Sequence, residues 1–191
     1  MSRWVLFGAL GLGAAVLPKA ASAEGTCLAE PHALLADLGL HVVNVAYQHT
    51  LDCYAVLQVS AGLYVPWTVT RDVLGLGGGR ATGDAATDLA GGVVRVRSFL
   101  FPTGSAPTGF WISPFYQLGY VRAASETTDL HGLAQASGVT VGGTFRIATH
   151  WQVALGGGAQ FHLASFGGTT AEPGFALPGP AIDLNVGYAF E

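Results

Sequence analysis

The segment 161–165, Phe-His-Leu-Ala-Ser, contains a histidine and a serine, the residue types that serve as base and nucleophile in many hydrolases. His162 and Ser165 are three positions apart. In a β-strand, residues three apart lie on opposite faces unless a bulge intervenes. The carboxylate of such a group would be Glu172 or Asp183, and neither stands at a matching position. We therefore predict an interior histidine, a loop serine and no catalytic residues, with catalysis by His162 and Ser165 as the alternative.

The other residues that could perform chemistry predict no metal or cofactor site. Residues 75–80, Gly-Leu-Gly-Gly-Gly-Arg, lack the lysine and the spacing of a phosphate-binding loop. The chain has 6 histidines, and no two of them are spaced as zinc ligands usually are. These are His32, His41, His49, His131, His150 and His162. We therefore expect no metal and no cofactor.

The composition is typical of a membrane protein. Hydrophobic residues make up 50% of the chain and charged residues only 10%, whereas soluble domains carry about 25% charged residues. No stretch after the N-terminus offers the roughly 20 apolar residues that a spanning helix requires. With 8 Lys+Arg against 12 Asp+Glu, the chain is unsuited to nucleic acid, and we expect no such partner. A closed β-barrel is the architecture that crosses lipid without helices.

The N-terminus predicts export. A short basic start is followed by an apolar run from Trp4 to Leu17, and residues 21–23, Ala-Ser-Ala, match a signal-peptidase site. We therefore predict that residues 1–23 are a cleaved signal peptide and that residues 24–191 form one barrel domain. Export would place the protein in the outer membrane of a Gram-negative-type bacterium.

Period-two alternation of apolar and small polar residues predicts the strands. The segments that show it are 39–49, 54–65, 88–100, 109–121, 139–147, 151–163 and 182–190. Because bacterial barrels have even strand numbers, we expect an eighth, first strand within residues 26–37, where residues 33–36 provide a short apolar piece. The predicted fold is an all-β, eight-stranded antiparallel up-and-down transmembrane β-barrel. Its polar face carries too few charges for a solvent surface, so we expect the apolar face outward and a polar interior.

The connections between these segments predict the orientation of the barrel. Short connections at 50–52, 101–108 and 148–150 alternate with long ones at 66–87, 122–137 and 164–180. Outer-membrane barrels have short periplasmic turns and long external loops, so the last strand should run toward the periplasm. Outward aromatic residues then form two girdles. The periplasmic girdle would comprise Tyr47, Phe110, Phe145, Trp151, Tyr188 and Phe190, and the external one Tyr120 and Trp67.

The predicted interior is filled by side chains. The inward positions include Arg95, Arg97, Arg146, Gln58, Gln117, Gln152, Gln160, His162, Asp183 and Asn185. Arginine does not lose its charge by deprotonation, so each arginine needs acceptors. Asp183 is the carboxylate that the alternation places clearly inside, and we expect it to pair with an arginine, Arg146 first among them. We also predict a disulfide between Cys27 and Cys53, since export delivers the chain's two cysteines to an oxidising compartment.

The alternating segments and the closing sequence 181–190, Ala-Ile-Asp-Leu-Asn-Val-Gly-Tyr-Ala-Phe, resemble the small eight-stranded outer-membrane β-barrel superfamily of opacity-type proteins and the OmpA membrane domain. The N-terminal part, residues 31–66, is similar in rhythm to barrel families of unknown function. The resemblance implies that residues 181–191 are read by the barrel assembly machinery, although Glu191 follows the usual terminal aromatic residue.

Residues 161–165 and the final strand also resemble, loosely, the end of lipid A 3-O-deacylases, in which the histidine and serine are two residues apart rather than three. From the whole sequence we expect a non-enzymatic outer-membrane protein with a structural or surface-interaction role and with membrane lipid as its surroundings. The alternative is a lipid A deacylase-like hydrolase.

Overall fold

The computed structural model describes residues 30–64, 88–124, 129–167 and 176–191. These residues form eight strands that close into one antiparallel barrel, each strand pairing with the next along the chain and the last with the first. The strands are β1 His32–Gly39, β2 Val42–Thr50, β3 Ala55–Tyr64, β4 Asp88–Leu100, β5 Gly109–Ala124, β6 Asp129–Arg146, β7 Trp151–Gly167 and β8 Ala176–Phe190. The prediction of an all-β, eight-stranded closed barrel is confirmed. No helix in the described ranges is long and apolar enough to span a membrane.

The barrel has two ends, which we name by their connections. The terminal end is where β1 begins and β8 finishes, and it carries the connections 51–54, 101–108 and 147–150. The far end carries the connection Leu40–His41 between β1 and β2.

The strands are staggered around the barrel. The partner of Ala36 on the adjoining β8 is Val186. Following partners the other way, from Ala36 through β2 and onward to β7, leads instead to Ala176 on β8, ten residues from Val186. A stagger of this kind accompanies a strand tilt of roughly 35–45° and, with eight strands, an interior only wide enough for side chains.

Large apolar side chains point outward and polar side chains point inward. Val45, in the middle of β2, is 70% exposed, whereas Arg97, in the middle of β4, is 1% exposed. The buried polar residues include aspartate, asparagine, glutamine, serine and threonine from almost every strand. This is the reverse of a soluble barrel, and it follows the alternation in the sequence, because successive strand residues point to opposite faces.

Two of the predicted long connections are wrong. Residues 122–137 are mostly strand, since β5 continues to Ala124 and β6 begins at Asp129. About half of residues 164–180 are also strand, since β7 continues to Gly167 and β8 begins at Ala176. The connections at the terminal end are short, so the extra length of β4–β8 projects at the far end, above β1–β3.

The alternation in the sequence did not indicate these strand extensions because they contain small residues and prolines. In β6 the inward Ala134 and Ala136 are less polar than the outward Gln135 and Ser137, so the expected alternation is lost there. Pro178 and Pro180 in β8 would break a central strand, because proline has no N–H to donate. On the N-terminal side of Asp183, however, β8 pairs with β7 alone. Residues two apart direct their nitrogens to the same side, so both prolines are tolerated where that side is the unpaired one.

Several predictions fall on other parts of the chain. The signal peptide 1–23, Cys27 and Trp67 lie outside the described residues. Cys53 lies in the β2–β3 connection, where its carbonyl oxygen accepts a hydrogen bond of 2.9 Å from the Ala106 N–H. The Cys27–Cys53 disulfide therefore stays a prediction.

Candidate functional site

The candidate site is a cluster of four ionised side chains in the middle of the barrel. Arg95 Nη1 lies 3.2 Å from Asp37 Oδ1 and 3.1 Å from Asp183 Oδ1. Arg97 Nη2 lies 2.9 Å from the other oxygen of Asp183. None of the four side chains is more than 4% exposed. Two positive and two negative charges therefore offset each other inside a lumen that excludes solvent.

These ion pairs cross the lumen and do not simply link neighbouring strands. Arg95 and Arg97 are two residues apart on β4, so both point inward from one strand. Asp37 and Asp183 come from β1 and β8, which meet at the seam where the barrel closes. The arginines thus connect β4 to the seam on the other side of the barrel.

Polar side chains complete the coordination of Asp37. Its Oδ2 accepts hydrogen bonds from Asn44 Nδ2 at 3.1 Å and from Ser60 Oγ at 2.9 Å. Asn44 and Ser60 come from β2 and β3, the next two strands around the barrel. These hydrogen bonds replace the water that the carboxylate loses on burial.

The arginines also donate hydrogen bonds to polar side chains of other strands. Arg95 Nε donates to Gln117 Oε1 at 3.1 Å. Arg97 Nε donates to Ser113 Oγ at 3.0 Å, and its Nη2 donates to Thr140 Oγ1 at 2.9 Å. The network therefore reaches β5 and β6 as well, and it links most strands of the barrel through side chains.

Two apolar layers enclose this network. On the terminal-end side, buried apolar side chains from β3, β4, β5, β7 and the β4–β5 connection pack together. They are Val56, Phe99, Phe101, Ala106, Trp111 and Ala154. On the far-end side the layer consists of Val42, Tyr64, Val93, Val121 and Ala134. Apolar side chains thus pack on both sides of the charged centre.

The terminal-end layer depends on the fit between Trp111 and two glycines. Trp111 is fully buried, and its ring meets Phe99 edge-on with 5.0 Å between centroids. A Cβ atom on Gly156 would collide with the Trp111 ring. A Cβ atom on Gly142 would come within 2.6 Å of Trp111 Cζ2 and would also collide with the Leu155 carbonyl oxygen. The glycines provide the space that the indole fills.

The predicted partner of Asp183 is wrong, since Asp183 pairs with Arg95 and Arg97 and not with Arg146. Arg146 is the last residue of β6 and lies at the terminal end, where it is one-third exposed. There its Nη1 lies 2.7 Å from Glu30 Oε2. The alternation correctly gave an inward direction but no depth along the barrel, and depth decides which charges meet.

The predicted glutamines have different depths. Gln117 contacts Arg95, and Gln58 Nε2 donates to Asn185 Oδ1 at 3.1 Å near the centre. Gln160 lies toward the far end and donates to the Pro180 carbonyl oxygen at 2.7 Å. Asp37 is the one charged member of the network that the sequence reasoning missed.

Ser165 lies within β7 and not in the predicted loop, three positions after His162 on the same strand. The register of β7 on β6 is uninterrupted from Ser165 to His162, so no bulge brings the two positions onto one face. The side chain of Ser165 lies outside the described part. Asp183, one of the carboxylates considered for that group, is already ion-paired with Arg95 and Arg97. Catalysis by His162 and Ser165 stays an untested alternative.

His162 instead packs against His41, in the connection between β1 and β2. The two rings meet edge-on with 5.0 Å between centroids, and His41 also stacks on Tyr64 at 6.0 Å. Burial, followed by the nearby His162 and Arg95, lowers the pKa of His41 from 6.5 to about 4. His41 is therefore uncharged at neutral pH.

Most of the predicted girdle residues that the structure describes are exposed aromatic side chains near the ends of the barrel. Tyr47, Phe110, Trp151 and Tyr188 are about half exposed near the terminal end, and Tyr120 is 60% exposed toward the far end. Trp151 and Tyr188 contact each other edge-on at 5.9 Å. Phe190 contacts His32, with 5.8 Å between ring centroids.

Within the described ranges, no three His, Cys, Asp or Glu side chains converge in a way that would hold a metal ion. No family model, curated protein or solved structure matches this chain.

Proposed function

We propose that this chain is an outer-membrane β-barrel protein with a closed lumen and a non-enzymatic, structural or surface-interaction role. One observation carries the proposal: a closed barrel exposes its large apolar side chains and buries its ionised ones. In water this arrangement would expose an extensive apolar surface, which monomeric soluble proteins avoid. In lipid it is the arrangement that every membrane barrel requires.

The strand lengths support the same surroundings. A tilted transmembrane strand needs about 9–11 residues. β2 and β3, on the short side of the barrel, have 9 and 10 residues. On the tall side β6 has 18 residues and would extend beyond the bilayer at the far end. We infer that the terminal end faces the periplasm, that the far end faces outward, and that β8 is the strand read by the barrel assembly machinery.

An arginine scan of the outer surface tests the membrane proposal. Val45 and Ile147 are almost equally exposed, at 70% and 72%, but Val45 lies mid-strand and Ile147 lies beyond the end of β6. In lipid vesicles Val45→Arg should lower the free energy of unfolding by roughly 2–4 kcal/mol, and Ile147→Arg by about 0–1 kcal/mol. Reversible denaturant unfolding measures both.

The matched pair separates a membrane barrel from a soluble one. If the surface faces water, both arginines should be equally harmless, and that result would contradict the proposal. Recovery of the folded protein wholly in the soluble fraction of Gram-negative cells would contradict it as well.

The closed lumen has its own test. The charged network and the two apolar layers support a lumen filled by side chains, so the purified folded protein should give no stable conductance in planar bilayers. A uniform, reproducible single-channel conductance would show that the lumen opens and would favour a pore function instead.

A further inference from the structure

His32 and His49 form a close pair of imidazoles on the outer face of the barrel at the terminal end. They are direct cross-strand partners on β1 and β2. Their Nδ1 atoms are 3.3 Å apart, whereas their ring centroids are 4.9 Å apart. Since the nitrogens are closer than the rings, the nitrogen-bearing edges face each other.

A third donor atom lies beside His32 Nδ1. Tyr47 is two residues before His49 on β2 and so shares its face, and the Tyr47 hydroxyl oxygen is 2.7 Å from His32 Nδ1. A neutral imidazole Nδ1 carries either one proton or one lone pair. His32 Nδ1 therefore cannot satisfy both Tyr47 and His49 well through hydrogen bonds. A cation would accept lone pairs from all three atoms.

The spacing of the two nitrogens suits a tetrahedral metal ion. Zinc–nitrogen bonds of about 2.0–2.1 Å in tetrahedral geometry place adjacent nitrogens roughly 3.3–3.4 Å apart, and the two Nδ1 atoms are 3.3 Å apart. The backbone ladder holds β1 and β2 in register, and the Phe190 ring packs against His32 at 5.8 Å. The donors are thus partly positioned before any ion binds.

We propose that His32 and His49, with Tyr47 as a third ligand, bind a divalent transition-metal ion of the Cu²⁺, Ni²⁺ and Zn²⁺ class. Imidazole nitrogen is the ligand that these ions share a preference for. The site is half-buried on the outer face at the terminal end, beside the β8–β1 seam, so water can complete the coordination. It is separate from the charged network in the lumen and does not depend on the proposed membrane function.

The test uses the folded full-length chain in detergent, purified without a histidine tag and with Cys27 and Cys53 replaced by serine to remove thiolate ligands. If that variant does not fold, wild-type protein with alkylated cysteines takes its place. Calorimetric titration with Cu²⁺ should show one ion per chain, and the electron paramagnetic resonance spectrum should show two coordinating nitrogens.

The variants identify the ligands. His32→Gln and His49→Gln should each weaken Cu²⁺ binding at least tenfold, and Tyr47→Phe should weaken it less. His131→Gln is the matched control, since His131 is an exposed histidine on β6 that stacks on Tyr120 at 6.0 Å, and it should leave binding unchanged. Absence of stoichiometric binding, or binding that survives His49→Gln, would overturn the proposal and leave the pair as a hydrogen-bonded contact.

Discussion

Asp183→Ala should lower the free energy of unfolding by roughly 3–5 kcal/mol, the cost of leaving a buried charge without its partner. Asp183 accepts from Arg95 at 3.1 Å and from Arg97 at 2.9 Å. Arg95 would keep Asp37, but Arg97 has no second carboxylate within ion-pair distance among the described residues. The variant therefore leaves Arg97, which is 1% exposed, with hydrogen bonds to Ser113 and Thr140 but without the carboxylate that offsets its charge. Denaturant unfolding in vesicles or detergent measures the effect.

Two further variants make this result specific. Asp52→Ala removes an exposed carboxylate that accepts one 2.7 Å hydrogen bond from the Tyr54 N–H, and it should cost only about 1 kcal/mol. Replacing the arginine as well, in Arg97→Met with Asp183→Ala, removes both charges of the pair. The double variant should then be less destabilised than the sum of the two single ones. Additive losses would show that Asp183 does not stabilise the barrel through Arg97.

The fold was predictable because lipid and lumen demand opposite chemistry from adjacent residues. In β8, Ile182, Leu184 and Val186 alternate with Asp183 and Asn185, so the sequence alone indicates which residues face outward and which face the lumen. The extensions of β5–β8 at the far end were not predictable in this way. There, pairing with the neighbouring strands maintains the β-structure, while small residues remove the contrast in polarity between the inner and outer faces.

The missing member of the charged network has a similar explanation. In β1 the inward residues Ala33 and Leu35 are as apolar as the outward Leu34, so the alternation does not mark Asp37 as interior. Its partner in the hairpin gives the better signal. Asp37 pairs with Asn44 across the two-residue connection Leu40–His41. Two polar residues placed symmetrically about a short turn, within apolar strands, indicate a shared interior position.

The position of a residue along the barrel axis could not be predicted from the sequence. Arg146 and Arg97 both face inward, yet Arg146 lies at the terminal end beside Glu30 and Arg97 lies at the centre. The difference arises from the stagger between strands, which accumulates around the barrel. No local pattern reports this stagger, because it is a property of the closed sheet.

Trp111→Ala should also cost roughly 3–5 kcal/mol, the usual range for removing a buried aromatic side chain and leaving a cavity. Trp111 is fully buried in the apolar layer at the terminal end, in contact with Phe99. Trp151→Ala is the matched control, because Trp151 is 51% exposed on the outer face. In detergent it should cost clearly less. Equal losses would mean that the inner layer does not stabilise the barrel.

The two glycines that face Trp111 turn this prediction into a test of fit. Gly156→Ala should destabilise the wild type, because the new methyl group collides with the Trp111 ring, and the nearest atoms it meets all belong to that side chain. In the Trp111→Ala background this collision is gone, so the same substitution should cost much less and should partly fill the cavity. Denaturant unfolding of the two single variants and the double variant measures the difference.

Gly142→Ala supplies the contrast. Its methyl group would also meet Trp111, at 2.6 Å from Cζ2, but it collides in addition with the carbonyl oxygen of Leu155 and approaches the Gly156 Cα at 2.7 Å. Removing the indole does not move that backbone, so Trp111→Ala should leave most of the Gly142→Ala cost in place. If the indole's absence relieved both glycine substitutions equally, or neither, the inner layer would not be built on the fit between Trp111 and Gly156. If Trp111→Ala reduced the cost of Gly156→Ala but not that of Gly142→Ala, the contact between Trp111 and Gly156 would be identified as the one that holds the indole in place.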